Sequence, residues 1–146
     1  MIEAKGDLWE IGKTASAIVI TTNGSLRKNG DSVMGGGCAR EAAERYPLLA
    51  ADLGRAVLKR GNHCHVFRYS SMQEIVAMPT KNSVSRSSPL PLVVRSVAEL
   101  NELAYWHDWT RVVLPRPGCG LGGLLWRNVK PIVDELDDRF TVVTYA

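Results

Sequence analysis

The chain has 146 residues, 45% of them hydrophobic and 23% charged, with a formal net charge of +3. This is the composition of a globular domain long enough to bury a core, and it excludes disorder and an extended basic nucleic-acid surface. No apolar run approaches the roughly 20 residues that a membrane helix needs, and the opening MIEAKGDLWEIGK holds no apolar signal-peptide core. One cytoplasmic domain over residues 1–146, with no membrane partner, is the expectation.

The elements alternate along the chain. SAIVITT at 16–22 is short, β-branched and continuous, the pattern of a buried strand. CAREAAERY reads as a helix ending at Pro47, and Leu49, Leu53 and Val57 mark a second helix at i, i+4, i+8. HCHVFRY and EIVAMP are two strands split by the polar SSMQ, which suits a hairpin-like turn. The segment 81–91, KNSVSRSSPLP, reads as a loop. Val93, Val97, Leu100 and Ala104 form one helical stripe, and TRVVLP follows as another buried strand. VKPIVDEL puts Val129, Ile132, Val133 and Leu136 on one helix face, a helix that tolerates Pro131 only in its first turn. RFTVVTY closes as a strand. Strands alternating with helices imply a layered α/β domain with a largely parallel sheet.

Three cysteines, Cys38, Cys64 and Cys119, cannot all pair within the chain, and free thiols in a reducing compartment are the simplest reading. HCH at 63–65 puts two histidines on one strand face. Neither CxxC nor HExxH accompanies it, and His107 lies far away in sequence, so no metal site and no cofactor are expected.

Two glycine-rich segments stand out. GGGCA begins at Gly35, and LPRPGCGLGGLLW places Gly118, Gly120, Gly122 and Gly123 within six positions. Each follows a strand and opens a helix. In an open α/β sheet such junctions lie at the carboxyl ends of strands, where ligands bind. Glycine admits a ligand close to the backbone, and a helix amino terminus offers unpaired N–H groups to an anion. Two such loops facing one crevice suit a diphosphate. Gly118, Gly120 and Gly123 also match GxGxxG, but only 23 residues follow, too few for the strands of a dinucleotide-binding domain.

The order of these motifs resembles the macrodomain family. KGDLW is similar to its opening, VITTNGSL to its asparagine strand, VMGGGCAREAAERYP to its first phosphate loop, LPRPGCGLGGLLWRNV to its second, and FTVVTY to its closing strand. Within the family, GCGL and PTK most resemble the branch of terminal ADP-ribose protein glycohydrolase and the DarG antitoxins. The resemblance implies a three-layer α/β/α fold with a central mixed, largely parallel sheet. It also implies a monomer, with ADP-ribose, or ADP-ribosylated protein or nucleic acid, as ligand and no obligate partner. By that resemblance Asp7 accepts from the adenine amino group with the backbone of Leu8 beside it, and Asn23 bonds the distal ribose. The backbones of Gly35, Gly36, Gly37 and Cys38, and of Gly118, Cys119, Gly120, Leu121 and Gly122, wrap the diphosphate. Tyr145 packs against adenine, and Trp126 starts a helix and packs the second loop from behind.

Lys81, at the end of EIVAMPTK, is the catalytic residue the resemblance implies. In that branch a lysine acts on C1″ of the distal ribose, attacking as an amine or stabilising the opening sugar. The pattern departs at Gly122, where the glycohydrolase carries an aspartate, so a general acid or base from that loop is missing; Asp31 is a candidate substitute. The expected activity is hydrolysis of ADP-ribosyl linkages. Its alternatives are a non-catalytic ADP-ribose-binding module and a phosphatase or deacetylase of ADP-ribose 1″-phosphate or O-acetyl-ADP-ribose.

Overall fold

A computed structural model describes residues 1–145. Six strands form one sheet in the order β1-β6-β5-β2-β4-β3. They are β1 (Ile2–Lys5), β2 (Ala17–Asn23), β3 (His65–Arg68), β4 (Glu74–Lys81), β5 (Val112–Pro115) and β6 (Phe140–Thr144). All neighbours run parallel except β3, which returns antiparallel to β4 through the turn expected at SSMQ.

Both faces of the sheet are covered, which is why its strands read as continuous apolar runs rather than alternating ones. Ile18 and Ile20 of β2, with Ile75 and Val113, pack on Leu8 and Trp9 of α1 (Leu8–Ile11), Ala42 of α2 (Gly37–Arg45) and Leu49 of α3 (Leu49–Arg60). The intervening Ala17 and Val19, with Met78 and Leu114, point the other way. They meet Val93, Val97 and Leu100 of α4 (Leu90–Trp106) and Val129 and Val133 of α5 (Trp126–Val133). The three-layer α/β/α architecture with a mixed, largely parallel sheet is thus the one expected.

Four local differences from the sequence reading have physical causes. The edge strand β1 is too short and too exposed to carry a periodic signal, and α1 is a single turn. Strand β4 runs two residues past EIVAMP to Lys81, with Pro79 beyond the last residue paired to β3, where its missing N–H costs no bond on that side. The loop at 81–91 ends early, because Leu90 and Pro91 already belong to the first turn of α4, where proline is tolerated. Finally, α5 begins at Trp126, so Pro131 lies in its second turn rather than its first; the exposed proline removes one intrahelical bond, and the helix ends two residues later.

One packing detail positions the site. Gly54, in the middle of α3, sits under the loop 24–33: a Cβ there would stand 1.9 Å from the Gly30 carbonyl oxygen. Ser32 N–H also donates to the Ala50 carbonyl at 2.8 Å, so that loop is pinned to the helix.

Candidate functional site

The carboxyl ends of β2, β4, β5 and β6 open into a cavity of about 780 Å³. The two glycine loops form its facing walls. In the first, Gly36 caps α2 without a side-chain hydrogen bond, and Gly37 takes the left-handed conformation at φ 57°. In the second, the N–H groups of Cys119, Gly123 and Leu124 are consumed by the Arg116, Gly120 and Gly118 carbonyls, which fold the loop on itself. The N–H groups of Gly120, Leu121 and Gly122 donate to no described acceptor. Three consecutive unpaired amides in a loop beside a cavity are the donors that an anion nest uses.

The loops touch over the cavity. A Cβ on Gly36 would stand 2.9 Å from Leu121 Cδ1, and one on Gly35 would stand 3.0 Å from Val84 Cγ2. Leu121 and Val84 are both exposed, so these side chains could give way to a Cβ there. Gly120 is different: a Cβ there meets nothing within 4 Å. Gly122 is different again. Its Cβ would fall 2.1 Å from Ser88 Oγ and 2.5 Å from the Gly118 carbonyl oxygen, so no side chain fits. Ser88 is buried, its hydroxyl has no described partner, and its N–H donates to the Gly122 carbonyl at 2.9 Å. The position where the glycohydrolase pattern holds an aspartate is closed by packing.

One end of the cavity is polar. A bulge at Thr22/Asn23 sets Asn23 of β2 beside Lys81 of β4, and both line the cavity with Thr22 and Thr80. Asn23 Oδ1 accepts from Ser25 N–H at 2.8 Å and its Nδ2 donates to the Val33 carbonyl at 2.9 Å, so much of its amide is spent holding the loop 24–33. Asn62 Nδ2 donates to the Lys81 carbonyl at 2.9 Å, fixing the backbone from which the lysine projects. The Lys81 ammonium makes no ion pair with a described residue.

The other end is apolar and aromatic, lined by Leu125, Trp126, Val143 and Tyr145. The Tyr145 hydroxyl donates to Glu41 Oε1 at 3.2 Å, and burial together with the Glu41 carboxylate pushes its pKa up to about 12. Arg116 joins this end, its guanidinium 4.6 Å from the Trp126 ring centroid. Cys38 lies beneath the first loop with its Sγ 3.4 Å from Thr21 N, and burial pushes this thiol up; burial does the same to Cys119.

Of the residues singled out from sequence, the cavity gathers Asn23, Gly35, Gly36, Gly37, Cys38, Lys81, Gly118, Cys119, Gly120, Leu121, Gly122 and Tyr145. It does not include Asp7, Leu8 or Asp31. Asp7 caps α1, accepting from Trp9 N–H at 3.2 Å, and Leu8 is fully buried. The Asp31 carboxylate accepts from Asn29 Nδ2 at 3.3 Å and does not line the cavity. Trp126 does start a helix, but it lines the cavity instead of only packing behind the loop. Ser88, Val84 and Arg116 were not foreseen. Only Arg116 carried a signal, as the one charge inside the second glycine loop. The HCH histidines are used locally: His63 pairs with Glu99 at 2.7 Å, and His65 Nε2 donates to the Gly61 carbonyl at 3.0 Å.

No protein-family model matches the sequence, and no curated protein matches it. Solved structures do match. The macrodomain of Mycobacterium tuberculosis DarG superposes with a TM-score of 0.79 at 24% identity, over 99% of this chain and 95% of that one. The macrodomain of Thermus aquaticus DarG gives 0.76 at 24% identity, over 99% and 97%. Thermosipho africanus DarTG, solved in complex with ADP-ribose, gives 0.82 at 19% identity over all of this chain and 42% of that longer one. The chain has the macrodomain fold. Among the described residues no helix is long and apolar enough to cross a membrane.

Proposed function

We propose that residues 1–146 form one ADP-ribose-binding domain that releases ADP-ribose from an ADP-ribosylated molecule, with Lys81 as the catalytic residue. The observation that carries this reading is the pair of glycine loops facing each other across one cavity, with free amides on the second and Lys81 at the polar end. A diphosphate between the loops would take the amides of both. The base would then lie toward Tyr145 and Trp126, whose flat rings suit it, and the distal ribose toward Asn23 and Lys81. The ADP-ribose bound in the Thermosipho DarTG structure supports that choice of ligand.

At the distal ribose, Lys81 acts on C1″. As a free amine it displaces the aglycone from C1″, its released proton passing to the leaving group, and water then cleaves the C1″–N bond to give ADP-ribose and free lysine. As an ammonium it instead donates a hydrogen bond to the opening sugar while water displaces the aglycone and supplies the new C1″ oxygen. Asp7 and the Leu8 backbone are assigned to the adenine edge, next to Tyr145, whose phenol feels the Asp7 charge.

A second reading, a binding module without turnover, is favoured by one observation: Gly122 lies where packing forbids a carboxylate. One experiment separates them. ADP-ribose is titrated by calorimetry, and release of ADP-ribose from modified protein and modified DNA is assayed with wild type and Lys81→Ala. Tight binding with release that vanishes in the variant supports the enzyme; tight binding with no release from any substrate supports the module.

A further inference from the structure

A second recess adjoins the apolar end of the cavity. It has a volume of about 280 Å³ and is lined by Glu3, Ala4 and Lys5 of β1, Arg116 and Thr144. Arg116 and Thr144 also line the main cavity, so the two spaces are adjacent along the carboxyl rim of the sheet. Strand order explains the arrangement. The rim runs from Lys5 at the end of β1, past Thr144 of β6 and Pro115 of β5, to Asn23 of β2 and Lys81 of β4.

The recess is short of negative charge. Its one carboxylate, Glu3, is shared among Lys130 Nζ at 2.9 Å, the Trp126 indole N–H at 3.1 Å and an Arg116 terminal nitrogen at 3.7 Å. Lys5, exposed at the end of β1, has no described ion pair. The Arg116 Nε is buried with no described hydrogen-bond partner. A buried, charged donor without an acceptor is costly unless something fills the place. The guanidinium is held there by its stack on Trp126 and by a long contact to Glu3, a carboxylate it shares with Lys130, so its Nε is left without a partner.

We propose that this recess is an anion subsite, taking a phosphate carried on the adenosine ribose of a ligand whose diphosphate lies between the glycine loops. The inference rests on the ADP-ribose reading of the cavity. With the base at the Tyr145 end, the adenosine ribose lies beside Arg116 and Thr144, and a substituent on it passes from one space into the other. Lys5 and Arg116 then supply the charge a phosphate needs. The ligand class is a phosphomonoester on that ribose; the next ADP-ribose unit of a chain, joined there by a glycosidic bond, would bring its nearest phosphate only one ribose farther out, and is the other outcome the test distinguishes.

The test is calorimetry with ADP-ribose, 2′-phospho-ADP-ribose and an ADP-ribose dimer linked through the adenosine ribose, on wild type and Lys5→Ala. Lys5 lies outside the main cavity, on an edge strand, so plain ADP-ribose should bind both proteins equally. Wild type should bind the phosphorylated ligand about fivefold more tightly than ADP-ribose, the upper end for a charge pair this exposed. Lys5→Ala should remove most of that gain. A gain for the monoester alone identifies a terminal phosphate, and a gain for the dimer as well identifies a chain unit; either supports the subsite. ADP-ribose binding with no gain for either ligand, or a gain untouched by Lys5→Ala, would overturn the subsite and leave the cavity reading intact. No binding of ADP-ribose would overturn both.

Discussion

Gly120 and Gly122 stand two residues apart in one loop, and the structure gives them opposite sensitivities. At Gly120 the backbone is not in the left-handed region and a Cβ would meet nothing within 4 Å, so Gly120→Leu projects into the cavity without touching the fold. Its stability should stay within about 0.5 kcal/mol of wild type. It should nevertheless block the approach to the free amides of Gly120, Leu121 and Gly122. A hydrogen bond to a charged group contributes roughly 1.5–3 kcal/mol, so losing two should cost at least about 3 kcal/mol, on the order of 100-fold in affinity. Gly122→Ala should do the reverse, because its methyl would fall 2.1 Å from Ser88 Oγ and 2.5 Å from the Gly118 carbonyl oxygen. Overpacking of this kind typically costs about 1–3 kcal/mol. That would lower the melting temperature by several degrees in a domain of this size. Ser88→Gly should restore only part of the loss, since the carbonyl clash is with backbone. Thermal unfolding without ligand and calorimetry with ADP-ribose measure the two effects separately. If Gly120→Leu binds ADP-ribose within a few-fold of wild type, the second loop does not hold the diphosphate.

Three further outcomes are expected. Lys81→Ala and Lys81→Arg should leave ADP-ribose affinity within a few-fold and abolish release, since a guanidinium keeps the charge but cannot act as an amine; undiminished release by Lys81→Arg would exclude the nucleophilic role. Asp7→Ala should lower stability by about 1 kcal/mol through the lost cap on α1, so its adenine role is read from the ligand side: inosine diphosphate ribose, lacking the amine, should bind wild type poorly, and equal binding would reduce Asp7 to a cap. In an ultraviolet titration Tyr145 should ionise well above the ordinary phenol value of 10, near 12. Because the folded pKa is the higher one, its contribution to stability is complete below pH 10 and falls away as pH rises toward 12. Glu41→Gln should shift that ionisation down, and no shift would detach the phenol from Glu41.

The sheet was legible because each buried strand is a β-branched run, and alternate residues such as Val19 and Ile20 are both apolar when both faces are covered. What escaped was short or local. Strand β1 has four residues and shows three of them to solvent. In α5, the apolar stripe from Val129 put Pro131 in the first turn, whereas the helix already starts at Trp126 and Pro131 falls in its second. The glycine loops were legible as a pair because two glycine-rich strand-to-helix junctions at the carboxyl ends of strands suit one anion between them, although Gly37, Gly118 and Gly123 are also fixed by positive φ. Which glycine does what was not legible, since it depends on what lies across a few ångströms of space. Leu121 faces Gly36, Ser88 faces Gly122, and nothing faces Gly120. Arg116 escaped for the same reason: its stack on Trp126 and its buried Nε are made by tertiary packing, not by spacing.

The closed pocket at Gly122 also narrows the chemistry. A carboxylate on the second loop would need both Ser88 and the Gly118 carbonyl to move, and the Gly118 carbonyl already accepts from Leu124 N–H at 2.9 Å to close the loop. The loop that presents three amides to a phosphate is thus held by the same packing that excludes an acid from it. Among the described residues that line the cavity, Lys81 and Arg116 are the ionisable cations, and no side-chain carboxylate lines it. If the domain does release ADP-ribose, the proton transfers fall to Lys81, to the Tyr145 phenol or a lining thiol, to water or to the substrate itself, with no carboxylate in the lining to share them. A hydrolase built this way should keep its turnover on Asp31→Asn, which removes a carboxylate outside the cavity, and should lose the chemical step rather than binding on Lys81→Ala.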